Sequence, residues 1–375
     1  MASERLRSMP IPPEINPAPA EKPLAVWAVT ANGIGIARRL RAAFPVMQGF
    51  CLQRLAGDTG LSGIDALVPA VRERFRDFTG HIFIMATGIV VRAIAPVIGH
   101  KASDPAVVVV DDTGRFAVSL LSGHMGGANR LAREVAAVLG ATPVITTATD
   151  VNNLPAVDTI VVEAGMRITN PTAIREVNTA VLAERPVPLF DRYGLLAGRL
   201  STDRFPPVAQ AAVHAPWPVH TLAAVKGPAV LVDDAGLCLP PSVLAVRPPT
   251  LVAGIGCNRG TSEAEIVDLL VETLSQADLA VESICALASV DLKSDEAGLL
   301  AVGRRLGVPV VFFTKTELAR VADVPNPSPR VAEHIGVESV CEAAAILGAD
   351  SGRLIVPKRK TRNVTVAIAR KSSIS

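Results

Sequence analysis

The stretch Phe116-Ala117-Val118-Ser119-Leu120-Leu121-Ser122-Gly123-His124-Met125-Gly126-Gly127-Ala128-Asn129 decides how this chain is read. Phe116 to Leu121 has the apolar content of a strand, and a helical pattern runs from Asn129 to Leu139. A glycine-rich loop joins them. Strand, glycine loop and helix together aim free backbone N–H groups at an anion. The same turn holds an imidazole, His124, and an amide, Asn129, which a loop that only changes direction does not need. The stretch predicts a site for a negatively charged ligand with a proton-transfer group beside it.

The same grammar recurs on either side. Leu24 to Val29 reads as a strand, followed by Thr30-Ala31-Asn32-Gly33-Ile34-Gly35 and a helix to about Phe44. His81 to Met85 is another, leading through Ala86-Thr87-Gly88 into a helix that contains Arg92 and runs through Ile98. Pro96 predicts a kink or an early end near Ala95. Ala106 to Val110 and Phe116 to Leu121 flank Asp111-Asp112-Thr113-Gly114-Arg115, the composition of a hairpin turn. Pro143 to Thr147 is a further strand, ending at Thr146-Thr147-Ala148-Thr149-Asp150. This alternation predicts a doubly wound α/β domain over residues 24–150.

From 151 to 249 the pattern weakens and prolines cluster. Val187 to Phe190 and Ala229 to Val232 read as strands, and a helix starts after Asn170, with Pro171 at its first position, and runs to Leu182. Regular alternation resumes with the strand Leu251 to Ile255. Two capping boxes, Ser262 with Glu265 and Thr314 with Glu317, mark helix starts. Strands at Ile284 to Ser289, Val308 to Phe313, Leu354 to Val356 and Val364 to Ile368 complete a second α/β domain, with helices to Leu306 and over Ser339 to Leu347. The expected architecture is α/β: two doubly wound domains, 24–150 and 250–371, flank a smaller irregular α+β middle domain, 151–249. A proline-rich leader, 1–23, precedes them and reads as disordered, without the apolar core of a signal peptide.

Composition narrows the function. Apolar residues make up 49% of the chain and aromatics only 3%, so Val, Ala, Leu and Ile build the core. That favours buried parallel strands under Ala-rich helices. Lys plus Arg (37) nearly cancels Asp plus Glu (35), and the basic residues are scattered, which argues against a nucleic-acid partner. The five cysteines are dispersed without a C-x-x-C pair, as in a cytoplasmic protein with reduced thiols and no zinc or redox site. Apolar runs are broken before membrane-spanning length, so no membrane partner is expected. The oligomeric state is not encoded in any of these features.

Each candidate residue has a plain reading beside the functional one. His124 is either a structural imidazole or a proton-transfer group. Asn129 is an N-cap or a ligand contact. Asp104 starts a turn or joins the site. Thr146, Thr147, Thr149 and Asp150 cap a strand or offer hydroxyls to a ligand. Lys293 and Glu296 are a solvated ion pair, or a site on the sheet edge that also carries Gly256 and Arg259. The run Gly254-Ile255-Gly256-Cys257-Asn258-Arg259-Gly260 spaces its last glycine one residue too far for a dinucleotide fingerprint, and no Gly-Lys-Ser/Thr phosphate loop exists. An NAD- or ATP-dependent enzyme is thereby disfavoured. No G-x-S-x-G elbow and no helical His/Glu metal pair is present, so no metal site is expected.

Taken together, Ala86-Thr87-Gly88-Ile89-Val90-Val91-Arg92, Lys101-Ala102-Ser103-Asp104-Pro105-Ala106-Val107, Leu120 to Asn129 and Ile145 to Asp150 resemble the CbiG family, the cobalt-precorrin-5A hydrolases. The last domain is similar to a stand-alone relative, CobE, through Gly254-x-Gly256-x-x-x-Gly260, Asp291-x-Lys293-x-x-Glu296 and Cys341-Glu342-Ala343-Ala344-Ala345. The resemblance implies a cobalt-corrinoid substrate whose δ-lactone is opened, with acetaldehyde released and cobalt-precorrin-5B formed. It implies no protein-held cofactor, since the cobalt travels with the substrate, and names neighbouring pathway methyltransferases as the protein partners to consider. On it, His124 is the general base, with Asp104 and Asn129 beside it. The N–H groups of Gly126 and Gly127 hold the oxyanion. Gly88, Arg92, Lys101, Ser122, Arg130, Thr147, Asp150, Arg259, Lys293 and Glu296 contact the carboxylate-rich substrate. The alternative is a corrinoid carrier or scaffold without catalysis.

Overall fold

The computed structural model describes residues 23–99, 103–124, 126–147, 150, 157–209, 217–218, 221–222, 224–321 and 340–372. Apart from Pro23, the proline-rich leader lies outside the described residues. The chain forms two compact units, Ala20–Val162 and Glu163–Ser375.

The first unit is built on a seven-stranded sheet in the order β3-β2-β1-β4-β5-β6-β7. β1 (Leu24–Ala28), β2 (Gln48–Leu52), β3 (Ser62–Ile64), β4 (Gly80–Ile84) and β5 (Ala106–Val110) are parallel. Stepping outward one way from β1 and the other way from β4 is the doubly wound pattern. Successive side chains serve opposite faces, as the two-residue strand period requires. Val26, Ile82, Ile84 and Val108 pack under the helices Ala31–Ala43 and Ala128–Leu139, while Trp27, Phe83, Val107 and Val109 pack under Leu67–Arg74 and Thr87–Ile94. The last of these helices stops at Ala95, just before Pro96.

β6 (Phe116–Leu121) returns antiparallel to β5, placing Leu121 opposite Val107 and Ala117 opposite Val110. The Asp111 carboxylate closes the hairpin by accepting the N–H groups of Arg115 (2.8 Å), Phe116 (2.7 Å) and Thr113 (3.1 Å). β7 (Thr142–Val144) runs parallel to β6. This reversal has a positional consequence. The loop after β6 stands at the amino-terminal edge of the parallel strands, opposite the edge that carries Gly88 and Arg92.

The second unit holds two sheets. β8 (Arg167–Ile168), β9 (Leu189–Asp191), β10 (Ala229–Val232) and β11 (Val243–Arg247) form one, with β10 parallel to both β9 and β11. The other has the order β14-β13-β12-β16-β15. In it β12 (Leu251–Cys257), β13 (Ile284–Val290) and β14 (Val310–Phe313) are parallel, and β15 (Arg353–Lys360) and β16 (Val364–Arg370) form an antiparallel hairpin beside β12. Asp234, fully buried, ties the two sheets together. It accepts hydrogen bonds from Arg370 Nε, Tyr193 Oη and Thr250 Oγ1, each at 2.7 Å. The helix expected to begin at Pro171 begins at Ala173, after a turn closed by the Ala173 N–H on the Asn170 carbonyl (3.0 Å).

Two of the glycines near residue 254 are explained by packing. A Cβ on Gly254 would lie 1.8 Å from the Cys341 carbonyl oxygen, and one on Gly256 would lie 2.5 Å from Thr365 Oγ1. Only glycine lets the helix Val340–Gly348, with its fully buried Ala343, Ala344 and Ala345, rest directly on β12.

Candidate active site

His124 sits in the loop after β6, and both of its ring nitrogens face carboxylates. Nε2 is 2.9 Å from Asp150 Oδ2, and Nδ1 is 3.5 Å from Asp158 Oδ2. Asp150 Oδ2 also accepts Asn129 Nδ2 (2.9 Å) and Thr147 Oγ1 (2.7 Å), while its Oδ1 accepts Arg133 (2.5 Å). Asn129 donates to Thr147 Oγ1 (2.9 Å) as well, and its own oxygen accepts Ser119 Oγ (2.7 Å), which fixes the amide orientation. Burial pushes the Asp150 carboxyl up, but the hydrogen bonds from Thr147, Arg133 and His124 together outweigh it and hold the pKa at about 2. The Asp158 carboxylate, with Asp150 behind it, raises the His124 pKa against the opposing effect of burial.

The local backbone explains the glycines here too. Gly127 has φ 82°, and a Cβ on Gly126 would lie 2.3 Å from Ser122 Cβ. Ser122 itself is left-handed, at φ 60°. The loop folds back on the helix it starts: Gly127 N–H donates to His124 O (2.8 Å), Ala128 N–H to Ser122 O (3.0 Å) and Asn129 N–H to Gly123 O (2.9 Å). These donors are therefore spent inside the loop. That corrects the expectation of an anion cradle, and of an oxyanion site that includes the Gly127 N–H. The N-cap position belongs to Gly127, so Asn129 is a buried residue of the helix itself, aimed at Asp150 and Thr147.

The expected residues thus separate. His124, Asn129, Thr147 and Asp150 converge, with Ser122 in the same loop. Asp104 also lies at this edge, but its buried carboxylate accepts the Gly99 N–H with both oxygens (3.1 and 3.0 Å) and Arg76 at 3.4 Å, a turn-closing role. Gly88 and Arg92 stand at the opposite sheet edge, where Arg92 donates to the Gly88 carbonyl (2.8 Å). Arg130 is exposed and paired with Glu134 (2.9 Å) on its own helix. Lys101 and Thr149 lie outside the described residues. Arg133, Ser119 and Asp158 are contributors that sequence reading missed. Arg133 alone had a usable sign, one helical turn beyond Asn129.

In the second unit, Arg259, Lys293 and Glu296 do meet at the carboxyl ends of β12 and β13. Glu296 Oε1 accepts the Gly260 N–H (2.6 Å), and its Oε2 lies 3.5 Å from Lys293 Nζ and 3.8 Å from Arg259. Arg259 is exposed and also bonds Asp295 and the Leu292 carbonyl. This cluster has no imidazole among the described residues. Nor is any group of three or more His, Cys, Asp or Glu among the described residues placed to hold a metal ion. Among the same residues, no helix is long and apolar enough to cross a membrane.

Three family models match the chain in order. They are cobalamin synthesis G N-terminal over residues 69–150, cobalamin biosynthesis central region over 155–248, and cobalamin synthesis G C-terminus over 251–369. A cobalt-precorrin-5A hydrolase of Priestia megaterium is 34% identical over 360 residues, covering 92% of this chain and 94% of that protein. One of Salmonella typhimurium is 34% identical over 355 residues, covering 92% of this chain and 97% of that protein. The chain belongs to the CbiG family. Protein CobE of a Sinorhizobium species is 35% identical over 123 residues, covering 32% of this chain and 79% of that protein. In this CbiG chain the polar cluster crosses a family boundary. Asp150 is the last residue of the N-terminal match, and Asp158 falls in the central region.

Proposed function

We propose that this chain is a cobalt-precorrin-5A hydrolase with His124 as its proton donor. The observation that carries the reading is an imidazole held between Asp150 and Asp158, in a chain matched over 92% of its length by proteins of that name. Opening the lactone consumes one water: hydroxide adds to the acyl carbon, and the ring oxygen leaves as an alkoxide. Collapse of that alkoxide to a carbonyl breaks the carbon–carbon bond to the macrocycle and frees acetaldehyde. The bonding pair stays on the macrocycle, which must take up a proton. Flanking carboxylates favour the imidazolium, so His124 is matched to delivering that proton and not to removing one from water. This replaces the general-base role that the family resemblance implied.

Asn129, Thr147 and Arg133 hold Asp150, and Asp150 holds Nε2. Asp104 and Gly127 serve the backbone of the site. Arg130 stays exposed, and an ion pair at such a position is weak enough to exchange for a substrate carboxylate. The cobalt arrives with the substrate, the chain carries no cofactor of its own, and its compartment is the cytoplasm. The test is incubation of the full chain with cobalt-precorrin-5A and measurement of acetaldehyde by a coupled dehydrogenase. One acetaldehyde per corrinoid converted is expected. Tight corrinoid binding without acetaldehyde would make the chain a carrier.

A further inference from the structure

Asp158 differs from Asp150 in how its charge is used. Asp150 spreads its two oxygens over four donors: His124, Asn129, Thr147 and Arg133. The Asp158 side chain, 5% exposed on the helix Val157–Glu163, has the imidazole at 3.5 Å from Oδ2. Its Oδ1 is buried and finds no hydrogen-bond donor among the described residues. A buried carboxylate with an unbonded oxygen is expensive unless a nearby cation compensates it. Among the described residues, the ionisable group paired with it is the His124 ring.

The two sides of that ring are also unequal. Asp150 keeps 17% of its side chain exposed against 5% for Asp158, so the Nε2 side opens toward solvent and the Nδ1 side is closed. A substrate group bonded to Nε2 would have to displace the Asp150 contact, while Nδ1 lies against a buried carboxylate. This is the division of labour by which a buried acid orients a catalytic imidazole through its second nitrogen. Among the described residues, the side chains bonded to Asp150 beside the ring are polar and neutral (Asn129, Thr147) or cationic and held on its other oxygen (Arg133).

We propose that Asp158 is the positioning residue of this site: it keeps Nδ1 protonated and fixes the ring so that Nε2 delivers the proton. The proposal rests on the reading of His124 given above, and the test keeps the two separable. In the full-length wild-type chain, ring 15N shifts are expected to show Nδ1 of His124 protonated. His124→Gln supplies the assignment. In Asp158→Asn the pH at which the His124 ring gives up its proton falls. The pH above which acetaldehyde release declines falls with it, and Asp158→Glu restores part of both. A general loss of packing would lower activity at every pH without moving the profile. A bare Nδ1 in the wild type, or an unshifted ring titration in a folded Asp158→Asn, overturns the proposal. If the ring titration moves while His124→Gln still releases acetaldehyde normally, Asp158 remains the group that holds His124, and the proton-donor reading falls.

Discussion

His81 and His124 belong to the same seven-stranded domain, and their surroundings are opposites. His81, on β4, is fully buried and stacked against Trp27, Phe75 and Phe83, with Phe78 edge-on. Trp27 Nε1, which can only donate, bonds Nδ1 at 3.0 Å, so Nε2 carries the proton and donates to the Phe75 carbonyl, also at 3.0 Å. That ring is neutral and fully bonded. Burial pushes its pKa down to about 4, with the Phe75 carbonyl and Asp77 opposing only in part. His124 sees carboxylates on both nitrogens, and its pKa moves up. A histidine's task is thus set by whether its neighbours donate or accept, and burial alone does not decide it.

The sharpest way to break this comparison is to remove each ring in turn. His124→Gln is expected to lower acetaldehyde release by about 10²–10⁴-fold per folded molecule, a loss far larger than any accompanying change in stability explains. His81→Phe should do the reverse. It strands the Trp27 N–H and the Phe75 carbonyl, at about 1–3 kcal/mol for each buried unpaired group, while turnover by the folded protein stays normal. If both variants lost the same property, the two rings would not have different tasks.

Proton linkage gives a second test, and the signs are opposite. For His81 the native pKa lies below the unfolded value of about 6.5. Its contribution is complete above pH 6.5 and is lost as pH falls toward 4, by roughly 3 kcal/mol in all. The stability gap between wild type and His81→Phe, from denaturant titrations, should therefore shrink between pH 7 and pH 4. For His124 the native pKa is raised, so its contribution is complete below pH 6.5 and lost as pH rises through the native value. The gap between wild type and His124→Gln should shrink on the alkaline side. Gaps that moved together with pH would show that the surroundings of the two rings are not opposed.

The parts of this molecule legible in its sequence are those fixed over short range. Strand, loop and helix around 116–139, the Asp111 hairpin, the stop before Pro96 and the cap of Ser262 all followed from adjacent residues. The Ser262 box, however, is one-sided, because Glu265 is bonded by Asn363 (3.1 Å) across the sheet. β2, β3, β8 and β11 escaped notice: β2 has Gly49 inside it, β3 and β8 are two or three residues long, and β11 lies among prolines. The hairpin was read correctly, but its consequence was not. An antiparallel β6 carries His124 to the edge away from Arg92. Asp158 left no local trace at all, since only the tertiary fold brings it to Nδ1. The spacing of the glycines at 254 and 256 argued against a dinucleotide fingerprint, and close packing against Cys341 and Thr365 accounts for them.

The smallest effect is expected at Arg133, and it decides which charge the comparison should be built on. Its side chain is 54% exposed, so its pair with Asp150 contributes about 0–1 kcal/mol. Asp150 Oδ2 keeps three donors without it. Arg133→Gln should therefore reduce kcat for acetaldehyde release by no more than about fivefold at neutral pH, with the midpoint of unfolding unchanged. Arg133 touches neither ring nitrogen, so its loss reaches His124 only through the charge on Asp150. A defect as deep as that of His124→Gln would mean that the Asp150 charge, and not the proton held on the imidazole, limits the reaction. His81 would then have to be compared with a carboxylate.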